Sequence, residues 1–453
     1  MANDAPVAAS RRGIRGWMLY DWANQPFYTL ILTFIFAPYF AAKVAHDPVT
    51  GQALWGTAAA VAGATVALLA APLGAIADRT GARKPWVAAF SLPFVAGCAG
   101  LWLAEPAMAE PLPVLLAFGL AYLGSEFCLI FTNAMLPGLG PRAAIGRISG
   151  SGWAIGYVGG LLALVLILVF VAPAPGSDRT MAGLVPVFGL DPAKGEPERA
   201  TGPFAAIWYL IFALPLFLWT PDAPRGRMRG AVGAGIADLL ATIRGIRGKG
   251  TFPVFLLASL FYRDGLAALF VFGGIFAAGV LGWGMFELGA FGILASVTGA
   301  LGAWAGGRAD ARFGPKPVVT ACVTGLVGAC LLVLLTDREA VLFLPVAEGS
   351  YLPDAVFLVA GGALGAFAGA VQAASRTLLV DQAEGRVAPA QAFGLYALSG
   401  KATAFIGPTM IAVATEWTGS QRLGVSPVIA QFLAGLLLLY WVKAGKRTGT
   451  EPE

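Results

Sequence analysis

The sequence predicts an all-α membrane protein with twelve transmembrane helices arranged as two pseudo-symmetric six-helix bundles. Three observations carry this. First, 58% of the 453 residues are hydrophobic, only 12% are charged, and the mean hydropathy is +0.75. Soluble domains carry about a quarter charged residues, so the surplus apolar surface has to meet lipid. Second, apolar runs near twenty residues, long enough to cross a bilayer core, recur twelve times along the chain. Third, one charged hairpin occurs twice, once in each half.

The runs fall at 17–42, 54–77, 85–104, 112–134, 149–172 and 203–220, then at 252–280, 286–307, 317–336, 354–376, 391–415 and 426–443. Each half supplies six. The domains read as 1–222, a linker at 223–251, and 252–453. Pro221, Pro224 and several Gly and Arg residues open the linker. Ile236, Leu239, Leu240, Ile243 and Ile246 then recur at helical spacing, which predicts a short amphipathic helix or, failing that, a basic coil.

Orientation follows from the basic residues. With both termini cytoplasmic, 22 of the 30 Lys and Arg lie in inner segments and 6 in outer ones, with Arg263 and Lys401 inside spans. The positive-inside rule accounts for that bias and for the net charge of +5, so no nucleic-acid partner is implied. Arg11, Arg12 and Arg15 precede a first run too long for a signal-peptide core.

The repeated hairpin runs Gly74-Ala-Ile-Ala-Asp78-Arg79-Thr-Gly81-Ala-Arg83-Lys84-Pro85 and again Gly306-Gly-Arg-Ala-Asp310-Ala-Arg312-Phe-Gly314-Pro-Lys316-Pro317. In both copies Gly precedes Asp by four residues, and Lys-Pro follows it by six and seven. Gly146-Arg147 and Gly385-Arg386 echo one another too, with Asn133 and Gln372 each thirteen residues upstream. Motif, amide and loop repeat in order, as in a duplicated bundle. Such internal repeats are characteristic of secondary transporters.

Several other chemistries are disfavoured. His46 is the only histidine, which argues against haem, multi-histidine metal sites and Ser-His catalysis. Cys98, Cys128, Cys322 and Cys330 all fall within apolar runs, so neither a disulfide framework nor a zinc site is expected. The phosphate loop of ATP-driven pumps is absent. The expectation is a non-enzymatic protein with no cofactor or metal, working as a monomer in lipid on a small-molecule substrate. A receptor or scaffold that kept the fold without transporting is the alternative.

The 74–85 hairpin resembles the signature loop of the major facilitator superfamily. Tyr20-Asp21-Trp22-Ala23-Asn24, Gly146-Arg147-Ile148-Ser149 through Gly156-Tyr157-Val158-Gly159-Gly160, Tyr262-Arg263-Asp264-Gly265, Gln372-Ala373-Ala374-Ser375-Arg376 and Phe393-Gly394-Leu395-Tyr396 resemble its vacuolar-effluxer-like branch. That branch is named for an autophagy-related amino-acid permease. The resemblance implies a twelve-helix facilitator fold, a cavity lined by the first, fourth, seventh and tenth helices, and amino acids as the favoured substrate. It also implies that Asp78 meets the N-terminus of the eleventh helix and Asp310 that of the fifth. The fourth span departs from the pattern by presenting Glu126 where many facilitators carry Arg. A bacterial cytoplasmic membrane is the expected location.

Charge inside hydrocarbon is costly and marks function. Asp21, Glu126, Arg263, Asp264 and Lys401 are the clearest ionisable residues within the spans. Glu126, at mid-span, reads as a proton carrier or as a structural partner for Arg263 or Lys401. Arg263 reads as a contact for a substrate carboxylate or a cavity acid. Adjacent residues on a helix point about 100° apart, so Arg263 and Asp264 each need a separate partner. Asn24 with Tyr28 could hydrogen-bond a zwitterion, and Asn133 and Gln372 complete the polar pathway set. Trp17 and Trp22 are expected in an interfacial belt. In the hairpins, Gly74, Gly81, Gly306 and Gly314 would permit close approach and tight turning, and Arg79, Arg83, Arg312 and Lys316 would supply ion pairs. Together with Asp78 and Asp310 they read as a two-state latch.

Overall fold

The computed structural model describes residues 9–174, 177, 179–226, 229–283 and 285–444. Arg227, Lys446 and Arg447, counted above, lie outside that set. Twelve helices among the described residues are long and apolar enough to cross a membrane. They are α1 (Arg11–Val44), α2 (Pro48–Thr80), α3 (Lys84–Leu103), α4 (Leu112–Gly138), α5 (Arg142–Phe170) and α6 (Glu196–Trp219). The second six are α7 (Phe252–Leu281), α8 (Met285–Phe313), α9 (Pro315–Leu334), α10 (Leu352–Ala383), α11 (Pro389–Thr418) and α12 (Gln421–Trp441). Leu68, Leu92 and Leu218 stand 74%, 73% and 64% exposed on these helices, as lipid-facing side chains must. The four cysteines are buried and unbridged.

Departures from regular geometry in α1 and α11 bear on the site, and each has a proline behind it. In α1 the α-helical turns end at Pro26, and Phe27–Phe34 continue as π-helix. Proline has no N–H for the carbonyl four residues back. The carbonyl so released belongs to Trp22, and it accepts instead from the Trp208 indole Nε1 at 3.1 Å. α11 was expected as one continuous helix; it is interrupted. Its first half ends at Ala402 and its second resumes at Ile406. Pro408 denies an amide to the Ala404 carbonyl, and the chain opens at that turn.

The contacts sort the chain into two compact units. One holds residues 1–70, 79–139 and 155–229. Within it α1 packs along α6 and α5, and the expectation for Trp17 is corrected. Trp17 is only 1% exposed, with its Nε1 donating to the Thr132 carbonyl at 2.8 Å, so it belongs to the core and to no interfacial belt. An indole N–H taken from water needs such an acceptor. Trp22 stacks on Trp208 with ring centroids 5.7 Å apart. A would-be Cβ at Gly159 would lie 2.9 Å from the Trp22 ring, so this glycine is what lets α5 approach α1.

The other unit holds residues 71–78, 140–154 and 230–453. It includes the linker helix, Ala231–Arg244, which buries Ala231, Gly235, Leu239 and Thr242. Gly235 sits against the backbone of Ile76. Leu240 and Ile243, grouped above with Leu239 on one apolar face, are 45% and 49% exposed. The buried face is narrower and lined by smaller side chains than hydrophobicity alone indicated.

Candidate functional site

In the first unit the polar side chains of α1 and α4 converge. The Tyr28 hydroxyl donates to Glu126 Oε1 at 3.2 Å, and Ser125 Oγ lies 3.1 Å from Asn24 Oδ1 and 3.2 Å from the Tyr28 hydroxyl. Asn24 and Ser125 are 2% and 0% exposed. The Asn24 amide nitrogen is buried without a hydrogen-bond partner, which leaves its N–H donors unused. Asn24 and Tyr28 are one turn apart, so a single helix face presents both. The π-helical stretch opens beside Tyr28, and such widenings are frequent at functional sites. Ser125 was not singled out in the sequence, although its place beside Glu126 at mid-span was the available signal.

Two predicted members of this set lie apart. Asp21 is half-buried against α5, with its Cβ 3.4 Å from the position a Gly156 Cβ would take. Asn133 is seven residues beyond Glu126, roughly 10 Å further along α4.

In the second unit three consecutive residues of α7 reach three different partners, as their angular separation requires. The Tyr262 hydroxyl meets Ser375 Oγ on α10 at 2.8 Å. Arg263 donates through Nη1 to the Tyr396 carbonyl on α11 at 2.7 Å, and its guanidinium lies 3.9 Å from the centre of the Tyr396 ring. A Cβ at Gly400 would meet that guanidinium at 2.6 Å, so glycine makes the room for it. Asp264, 2% exposed, lies beside the Thr403 hydroxyl at the interruption of α11. Tyr396 and Thr403 are thus partners that the sequence did not flag. Gln372 donates within α10, to the Ala368 carbonyl at 3.2 Å, and Lys401 stands half-buried one residue before α11 opens.

The hairpin aspartates sit at helix N-termini. Asp78 accepts from the Ala390 and Gln391 amides at 3.1 and 2.8 Å, in the first turn of α11. Those amides have no intrahelical acceptor, and the helix dipole favours a carboxylate there. A Cβ at Gly74 would collide with the Ala390 carbonyl, so the approach requires glycine. Asp310, 4% exposed, lies over the first turn of α5, its Cγ 2.6 Å from where a Gly146 Cβ would be. Gly81 and Gly314 turn at φ +79° and +91°, a region closed to most side chains.

Of the hairpin cations, Arg83 donates to the Gly81 carbonyl and Lys316 to the Tyr440 carbonyl at 3.4 Å; Arg79 and Arg312 are exposed. Neighbouring residues add contacts the sequence left unassigned. Arg142 pairs with Asp381 and, at 2.5 Å, with Glu384. Arg376, 3% exposed, donates from Nε to Ser149 Oγ at 3.1 Å and from Nη2 to the Ser149 carbonyl at 2.8 Å. In the first unit Asp222 accepts from the Arg83 and Lys84 amides at 2.7 and 2.9 Å, capping α3.

The arrangement holds polar and charged groups inside apolar helices. Among the described residues no group of three or more His, Cys, Asp or Glu could hold a metal ion. A family model described as "Vacuole effluxer Atg22 like" matches residues 48–450. The chain belongs to that family. As an Atg22-like member of the major facilitator superfamily it is an integral membrane transporter and not an enzyme.

Relatives of this Atg22-like protein include an uncharacterized MFS-type transporter, YxiO, of Bacillus subtilis (strain 168), 24% identical over 94% of each chain. Autophagy-related protein 22 of Coccidioides immitis (strain RS) is 24% identical over 67% of this chain and 50% of its own length. The chain therefore spans about half of that fungal relative. Among solved structures, the human organic anion transporter MFSD10 (TETRAN) covers 95% of this chain and 99% of its own at a TM-score of 0.68 and 18% identity. The transporter FucP in the outward conformation covers 96% and 98% at a TM-score of 0.69 and 14% identity. At these identities the two structures establish the major facilitator fold.

Proposed function

We propose that this protein is a proton-coupled secondary transporter of a small zwitterionic metabolite, with amino acids as the favoured class. It would work as a monomer by alternating access in a bacterial cytoplasmic membrane, with both termini inside. The observation that carries the reading is the Asn24–Tyr28–Ser125–Glu126 cluster: a carboxyl group hydrogen-bonded by a tyrosine within apolar helices. A carboxyl so placed can exchange a proton with the aqueous side to which it is exposed, while the Asn24 amide and Tyr28 hydroxyl remain able to bind a polar ligand. Within the second unit, Arg263, half-buried over Tyr396, would supply a cation for a carboxylate.

In this reading Asp78 on α11 and Asp310 on α5, with Arg376 on Ser149, form the closed side of the latch. They would part when the inner side opens. Purified protein in liposomes, loaded with candidate amino acids and followed with and without an imposed pH gradient, tests the assignment. Gradient-driven accumulation that fails in Glu126→Gln, while exchange of substrate persists, is the expected result. Full accumulation by that variant would remove proton coupling at Glu126, and absence of flux for every amino acid would remove the substrate class.

A further inference from the structure

The interruption of α11 brings together more oxygen acceptors than the protein supplies with donors. Asp264, 2% exposed, has its carboxylate beside the Thr403 hydroxyl, and its Oδ2 is buried with no hydrogen-bond partner. Gln431 on α12 is 4% exposed, and its Oε1 is likewise buried without a partner. Gly407, in the first turn of the resumed helix, lies where the backbone of α7 meets Gln431: a Cβ there would be 3.1 Å from the peptide carbonyl oxygen of Asp264 and 3.5 Å from Gln431 Oε1. The first half of α11 ends at Ala402 with its last-turn carbonyls released from the helical ladder, and the Thr403 hydroxyl stands among them, donating to the Ser399 carbonyl at 3.0 Å.

Leaving two buried acceptors unpaired costs about 1–3 kcal/mol each, more when one carries a charge. A positive ion held between α7 and α12 would satisfy both. We propose that Asp264 and Gln431, with Thr403 and the carbonyl end of the first half of α11, form a binding site for a dehydrated sodium-type cation. The donor set is carboxylate, amide, hydroxyl and peptide oxygen, which is the chemistry of hard cations. Interrupted membrane helices furnish such carbonyl ends, and their partial negative charge adds to that of Asp264. A single proton on Asp264 would satisfy one acceptor pair and leave the hydroxyl and carbonyl oxygens unused. Arg263 does not compete for the site, because its guanidinium is directed to Tyr396.

The site is independent of the transported substrate and of Glu126, so its test needs no flux. Full-length protein in detergent is melted across a series of NaCl concentrations, with choline chloride holding ionic strength constant, at two pH values. Sodium should produce a saturable rise in the midpoint of about 2–5 °C. Asp264→Asn should abolish the response, and Gln431→Leu should weaken it at least about fivefold in apparent affinity. Gln431→Leu removes a buried, unpaired acceptor, so without a bound ion it should be neutral or stabilising. Three outcomes overturn the proposal: sodium has no effect that choline lacks; stability responds through Asp264 to acidification alone, which makes it a proton site; or Gln431→Leu lowers the midpoint without changing the sodium response, which makes its amide a plain donor to Asp264.

Discussion

Removing the charge of Asp78 is the sharpest test of the latch. Ala390 and Gln391 stand at the start of α11, where the amides of a helix lack acceptors of their own; their partners are the two oxygens of Asp78, at 3.1 and 2.8 Å. Asn in its place keeps one neutral acceptor and turns an NH2 group towards the second amide. Hydrogen bonds to a charged group contribute about 1.5–3 kcal/mol and neutral ones about 0.5–1.5. Because Asp78 is only half-buried, the lower ends of those ranges apply, and the net loss is about 2.5 kcal/mol. At 1.4 kcal/mol per factor of ten, the contact should open about 60-fold more often. Hydrogen–deuterium exchange of the peptide spanning 387–396 reads this directly. Exchange at Ala390 and Gln391 should speed up by that factor, while Ala392, whose amide bonds the Ala388 carbonyl at 2.9 Å, should change less. Unchanged exchange at all three amides, or equal acceleration throughout the chain, would refute a local latch at this contact.

Three further outcomes are expected. Arg263→Gln should lower substrate uptake at subsaturating concentration by about 10-fold or more, and Arg263→Lys should restore only part of it, because a lysine cannot keep both the Tyr396 carbonyl and the flat contact with its ring. Radiolabelled uptake in liposomes measures both. Arg376→Ala should remove two hydrogen bonds from a buried guanidinium and reduce stability by about 2–4 kcal/mol, seen as a lower melting midpoint in detergent. Asp222→Ala should cost about 1–2 kcal/mol by uncapping α3, read in the same melt, without altering any sodium response.

The twelve crossings were legible because hydropathy over a membrane-length window is a strong and nearly context-free signal. Helix ends moved outward by several residues, as at Arg142 and Ala383, where polar residues continue the helix beyond its apolar stretch. The same averaging hid the opening of α11. A window of eighteen or so residues passes smoothly over Thr403–Phe405, although Gly407-Pro408 carried the local signal. Of the site, Asn24, Tyr28 and Glu126 were found because polar groups in apolar spans stand out. Ser125, Thr403 and Gln431 were not, since uncharged polar residues are common in membrane helices and become informative only when their neighbours are known. Trp17 was misplaced for a related reason: proximity to a helix end says nothing about whether a carbonyl waits for its indole.

The π-helical stretch of α1 has a consequence outside the protein itself. A wide turn of this kind accommodates one residue more than a regular turn, so the helix takes up an extra residue there without turning the faces beyond it. Deleting one residue between Phe27 and Phe34 should therefore let the helix close into ordinary turns while the residues beyond it keep the faces they present now. Homologues whose first helix is regular should align with a one-position gap in this stretch.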